Sequence, residues 1–140
     1  MRDYQAEEEG DYRRVSAGLI GNMSNAKWVR LFTSIAAVKT SPAFVQWRVL
    51  GTPKTFWERF PDESELREKE FSDGRFIRLR YRWIQSFHVP REYKPYRDRG
   101  LGYRVFQDVE DLHNAITTVG VFDLVVDHQG LTLNAYSGAP

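Results

Sequence analysis

Apolar positions along this chain recur with two periods, and the way they alternate lays out the fold. In residues 24–38, Trp28, Leu31, Phe32, Ile35 and Ala36 fall at i, i+3, i+4, i+7 and i+8. That spacing makes one apolar stripe on a helix. Ser24 or Asn25 has a side-chain oxygen to cap its first turn. Pro42 stops it, because the residue before a proline avoids helical geometry. A second helix is expected over 108–119. Asp108 caps it, Glu110 and Asp111 sit where the helix dipole favours acids, and Leu112, Ile116 and Val119 share a face. Gly120 is placed as its C-terminal stop.

Between and after these helices the period drops to two. Val45, Trp47 and Val49 share one face of a strand over 43–50, and Lys54–Phe60 reads as a second extended piece. The run "RFIRLRYRW", 75–83, sorts Ile77, Leu79, Tyr81 and Trp83 to one side and Arg78, Arg80 and Arg82 to the other. It predicts a strand running to about Phe87 with an arginine face. "VFDLVVDHQGLTLNAY", 121–136, predicts a hairpin. The order predicts an α+β fold: a mostly antiparallel sheet of about five strands packed against two helices, 24–38 and 108–119.

Two segments lack either period. Residues 1–22 are polar and read as an N-terminal extension, frayed or partly helical, with Met23 as an alternative start. Residues 23–140 then form a single α+β domain. Residues 62–70, "DESELREKE", are charged all round and read as solvated. The stretch 88–102, with two prolines and two glycines, reads as a long loop, and long loops in small domains tend to be functional.

Charge changes this picture only locally. The net charge is +1 over 140 residues, so the chain as a whole has no pull on nucleic acid or anionic lipid. Residues 75–104 carry nine positive and two negative side chains, net +7. Residues 58–73 carry seven negative and three positive, net −4. A dry arginine face without partners would cost several kcal/mol per ion. The face is therefore solvated, paired with acids such as Asp123 or Glu58, or turned to an acidic partner. There is no cysteine, which excludes disulfides and fits a cytoplasmic protein. No apolar run approaches the ~20 residues of a membrane span.

The search for chemistry returns little. The three histidines, His88, His113 and His128, lack metal-ligand spacing. "GLG" at 100–102 and "GTPKT" at 51–55 lack the frame of a phosphate loop. No catalytic residue, metal ligand or cofactor is assigned. The expected partner-binding residues are Arg78, Arg80 and Arg82, with Tyr93, Tyr96, Arg97 and Arg99 of the basic loop, since arginine and tyrosine favour interfaces.

"SNAKWVRLF", 24–32, resembles the opening of a family of small bacterial proteins of unknown function that begin Asn-x-Lys-Trp. Asn25, Lys27 and Trp28 match the opening, Trp47 a first strand, Trp83-Ile84 a second, and "LTLNAY" the close, over roughly 24–136. Arg82 stands where an acid is expected, and 1–22 and 91–104 are extra. By association with secreted toxins, the resemblance implies an immunity protein that neutralises a cognate toxin by direct binding. Two alternatives stand beside it: a nucleic-acid binder using the arginine face, and a small enzyme or ligand-binding domain with a pocket near Trp47 and Trp57.

Overall fold

The computed structural model describes residues 3–39, 41–93 and 105–138. The chain opens with α1 (Tyr4–Val15), β1 (Ile20–Gly21) and α2 (Asn25–Ala36). It continues with β2 (Gln46–Val49), β3 (Thr55–Trp57), β4 (Glu70–Ser72), β5 (Arg78–Arg80), β6 (Ile84–Pro90) and β7 (Glu92–Tyr93). It closes with β8 (Val105–Phe106), α3 (Val109–Val119), β9 (Leu124–Val126), β10 (Gly130–Asn134) and β11 (Tyr136–Ser137). The fold is α+β. Its main sheet is antiparallel with five strands in the order β3-β2-β6-β10-β9.

The two helices expected from periodicity are present. Ser24 Oγ accepts the Lys27 N–H at 3.1 Å, and Asp108 Oδ1 accepts the Asp111 N–H at 2.9 Å. α2 buries Trp28, Leu31, Phe32 and Ile35; α3 buries Val109, Leu112 and Ile116. These meet one face of the sheet, formed by Val45, Trp47, Phe87, Val89, Leu131 and Leu133. Trp47 is fully buried, and its indole N–H donates to the Glu58 carbonyl at 2.9 Å. Rings make up much of this core: Phe32 lies 6.0 Å from Trp47 and Phe60 lies 5.0 Å from Phe87.

Several expectations need correction. The run 75–87 is not one strand. β5 ends at Arg80, a 3₁₀ turn takes Tyr81–Trp83, and β6 begins at Ile84. Tyr81 turns its ring into the core and donates its hydroxyl to the Arg67 carbonyl at 2.7 Å. The polar leader, read as frayed or partly helical, holds the helix α1, whose position the apolar pattern did not announce because it buries no residue. Asp3 caps it, and β1 then pairs with β11. The acidic run 62–70 is not wholly solvated. Glu65 is only 8% exposed and accepts Arg59 at 2.6 and 2.9 Å and the Asp62 N–H at 2.7 Å. Gly120 has φ 169°, an extended conformation open to any residue rather than a left-handed stop.

Two turns follow their chemistry. Asp73 Oδ1 accepts three successive N–H groups, of Arg75, Phe76 and Ile77, at 2.7–2.9 Å and closes the β4–β5 hairpin. Asp127 Oδ1 accepts the Gln129 and Gly130 N–H groups, which closes the β9–β10 turn.

Candidate functional site

Arg78, Arg80 and Arg82, the three arginines of the expected strand face, all have acidic partners within the chain, but not the acids expected. Arg78, with a side chain 70% exposed, pairs through Nε with Glu70 Oε2 at 2.8 Å across the β4–β5 hairpin. Arg80 and Arg82 face α1. Arg80 Nη1 reaches Glu8 Oε2 at 3.3 Å. Arg82 donates Nε to Glu8 Oε1 at 3.2 Å, Nη2 to Glu8 Oε2, and Nη1 to Glu9 Oε2 at 3.0 Å. The Trp83 indole N–H also donates to Glu8 Oε1, at 2.5 Å.

Neighbours on a strand point apart, so Arg82 and Trp83 would not share a ligand on one. The 3₁₀ turn rotates each residue by about 120°, and both side chains then reach the same carboxylate. The arrangement is anchored from behind. The Arg82 guanidinium lies 4.3 Å from the centre of the Tyr12 ring, a cation–π distance. Tyr12 meets Trp83 edge to face at 5.8 Å, and its hydroxyl lies 2.9 Å from that of Tyr136. Tyr136 donates to the Arg82 carbonyl at 2.6 Å.

Burial pushes the Glu8 carboxyl up, but the hydrogen bonds from Trp83 and Arg82 and the charges of Arg82 and Arg80 outweigh it, so it lies below its ordinary value. Burial likewise works against the charge on Arg82, and the hydrogen bonds to Glu8 and Glu9 more than restore it. The result is a cradle of donors built around one carboxylate. A cavity of about 320 Å³ continues beside it, lined also by Gln5, Asn25 and Lys69.

The remaining sequence-assigned residues divide. Tyr93 stacks on Phe44 with ring centres 4.0 Å apart, with Trp57 4.9 Å away. Tyr96, Arg97 and Arg99 fall outside the described residues.

The sequence reading missed a second surface, the sheet face opposite the helices. Register places Trp57, Gln46, His88, Thr132 and Val125 in one row across five strands, and Thr55, Arg48, Ser86 and Asn134 in the next. Trp57 is 45% exposed and Val125 48%. The α2 and α3 core side chains pack on the opposite face. At one end Gln46, Trp57, His88, Arg91, Phe106 and His128 border an open depression of about 750 Å³. Trp47, expected to line a pocket with Trp57, is instead in the core on the other face. The signal for Trp57 was present in "TFW", since period two puts Trp57 and Phe56 on opposite faces.

His88 sits at the centre of the row. Its Nδ1 lies 2.8 Å from Thr132 Oγ1 of the neighbouring strand. Burial lowers its pKa against an opposing pull from Asp127. Arg91 borders the depression and is held by Glu110 Oε1 at 2.5 Å and by the Asp127 carbonyl at 2.8 Å. Gln107 ties the β8 end to its neighbours. Its amide exchanges two hydrogen bonds with the Phe44 backbone, at 3.0 and 3.1 Å, and donates to the Pro90 carbonyl at 2.8 Å.

Comparison with protein-family models, curated proteins and solved structures returns no match for this chain. Among the described residues no three His, Asp or Glu side chains cluster as metal ligands. No helix among them is long and apolar enough to cross a membrane.

Proposed function

We propose that this chain is a non-catalytic protein-binding domain, and more narrowly an immunity protein that neutralises a cognate bacterial toxin by covering it. One observation supports the protein-binding reading most: at one end of the sheet face opposite α2 and α3, Trp57 and His88, with the adjoining Arg91 and Phe106, border an open depression, and no described helix contributes a side chain to its lining. Aromatic and arginine side chains set in a polar surround are the usual anchors of protein interfaces. The Phe44–Tyr93–Trp57 ring contacts hold these anchors in place before a partner arrives, which lowers the ordering cost of binding. The narrower toxin reading rests on the resemblance of 24–136 to the Asn-x-Lys-Trp proteins.

The test is to co-express the chain with the product of a neighbouring toxin-like gene. Co-elution on a sizing column and rescue of growth support the reading. With Trp57→Ala and His88→Ala both introduced, rescue should be lost while the chain stays folded. Neither co-elution nor rescue with any neighbouring product would overturn it.

A nucleic-acid reading draws on the same depression, where the exposed aromatics Trp57 and Phe106 stand with Arg91, a combination that stacks bases and holds the phosphates of a single strand. It predicts binding to an oligonucleotide that weakens steeply with salt. Absence of binding at low salt removes it.

A further inference from the structure

The Glu8 carboxylate has the surroundings of a bound ligand. Two guanidinium groups and one indole N–H converge on its two oxygens. Fork-shaped guanidinium donors suit a carboxylate. The helix that delivers this carboxylate is not part of the hydrophobic core: α1 buries no residue, and none of its side chains belongs to the core cluster. α1 carries four acids, Glu7, Glu8, Glu9 and Asp11, against Arg13 and Arg14. It lies over Lys69, Arg80 and Arg82, so its charge complements the surface beneath.

We propose that Arg80, Arg82 and the Trp83 indole N–H form a carboxylate-binding site for an acidic side chain of a protein partner, and that Glu8 occupies this site in cis. The inference rests on the protein-binding reading above. The adjoining cavity of about 320 Å³ gives an incoming acid room beyond Glu8, and Lys69 on its wall has no ion pair among the described residues. Removal of α1 would uncover three cations and leave every core side chain where it is. The chain also has a joint for that movement. Gly18, between α1 and β1, has φ 79°, a left-handed conformation that glycine adopts without strain. Opposing departure are the Tyr12 contacts to Trp83 and Tyr136, and Val15, whose Cγ1 lies 3.0 Å from where a Gly51 Cβ would stand. A partner acid must therefore compete with a tethered one, whose effective concentration is in the millimolar range.

The test uses the full chain and a fluorescent peptide of residues 3–18 as the acidic probe. A Glu8→Ala, Glu9→Ala chain should bind the probe at least about tenfold more tightly than the wild type, whose site is filled in cis. Adding Arg82→Gln should abolish that gain, and a probe with its own Glu8→Ala change should not show it. Equal binding to wild type and variant, or no binding to a variant whose circular dichroism is native, overturns the proposal. So does competition by oligodeoxythymidine but not by unlabelled peptide, which would assign the site to phosphate. Amide exchange of the wild-type chain gives an arm independent of any variant. α1 amides should exchange at least about 100-fold faster than those of β6 and β10, as expected of a separately opening unit; equal protection overturns the proposal. Neither arm needs a natural partner, so this proposal and the toxin-binding reading can fail separately.

Discussion

Glu8 and Arg82 form a pair whose energy can be measured without knowing any ligand. In a double-mutant cycle, Glu8→Gln, Arg82→Gln and both together isolate their coupling. Fully exposed ion pairs give about 0.2–1 kcal/mol, and hydrogen bonds to charged groups give about 1.5–3 kcal/mol. The two side chains are 23% and 28% exposed, so the pair falls between those limits. Two direct hydrogen bonds link them. We expect a coupling of about 1–2 kcal/mol. It should appear first as faster exchange of α1 amides, because α1 contributes nothing to the core. In urea titrations followed by the core tryptophans the loss should level off once α1 is undocked. The pH dependence follows from the sign of the shift. Glu8 is held below its ordinary value, so its contribution is full above the unfolded-state pKa of about 4.3. It is lost as pH falls through the lower folded-state pKa. A coupling under about 0.3 kcal/mol, the limit of additivity for independent sites, or a loss spread evenly over core amides, would refute this account of α1.

Two tryptophans ten residues apart should behave oppositely. Trp47→Ala removes a fully buried ring that touches Phe32, Phe60, Phe71 and Phe87 and should cost about 3–5 kcal/mol in chemical denaturation; Trp57→Ala should cost less than about 1 kcal/mol while weakening partner binding. Gly130→Ala should fail to give a stable fold or lose at least about 3 kcal/mol, because φ is 156° and a Cβ would stand 2.0 Å from the Val89 carbonyl oxygen; a native melting temperature would contradict the register of β6 and β10. Burial lowers the His88 pKa, so its neutral form contributes stability above the unfolded value of about 6.5 that is lost as pH falls through the folded value. An NMR titration should put its midpoint below the ordinary histidine value of about 6.5, and a midpoint above that would refute the burial.

Residues whose role is set by their own neighbours in sequence were legible. α2 and α3, their Ser24 and Asp108 caps, the 43–50 strand and the 121–136 hairpin all follow from period and local side-chain chemistry. Of Ile77, Leu79, Tyr81 and Trp83, whose shared side reads as the core side, Tyr81 is in the core and Ile77 and Leu79 pack partly buried against it, but Trp83 does not join it and turns to Glu8, because the strand expected to carry them is interrupted by a 3₁₀ turn. The leader was not legible, because a helix held by ion pairs has no apolar stripe to announce it. The open sheet face was missed because its row, Trp57–Gln46–His88–Thr132–Val125, takes one residue from each of five strands. No window of the sequence contains it.

The sequence by itself determined which side chains must leave water, since burial depends on side-chain type and on a spacing of two or 3.6 residues. It also determined that Arg78, Arg80 and Arg82 needed acids or solvent, since an unpaired ion in a dry interior is too costly to keep. Only the tertiary structure decided which acids. Glu8 and Glu9 lie more than seventy residues away along the chain. Charge attraction has no preferred sequence separation, so the choice waits on how the backbone folds. That choice leaves Arg78 largely in solvent and turns Arg80, Arg82 and Trp83 into a cradle already holding a carboxylate.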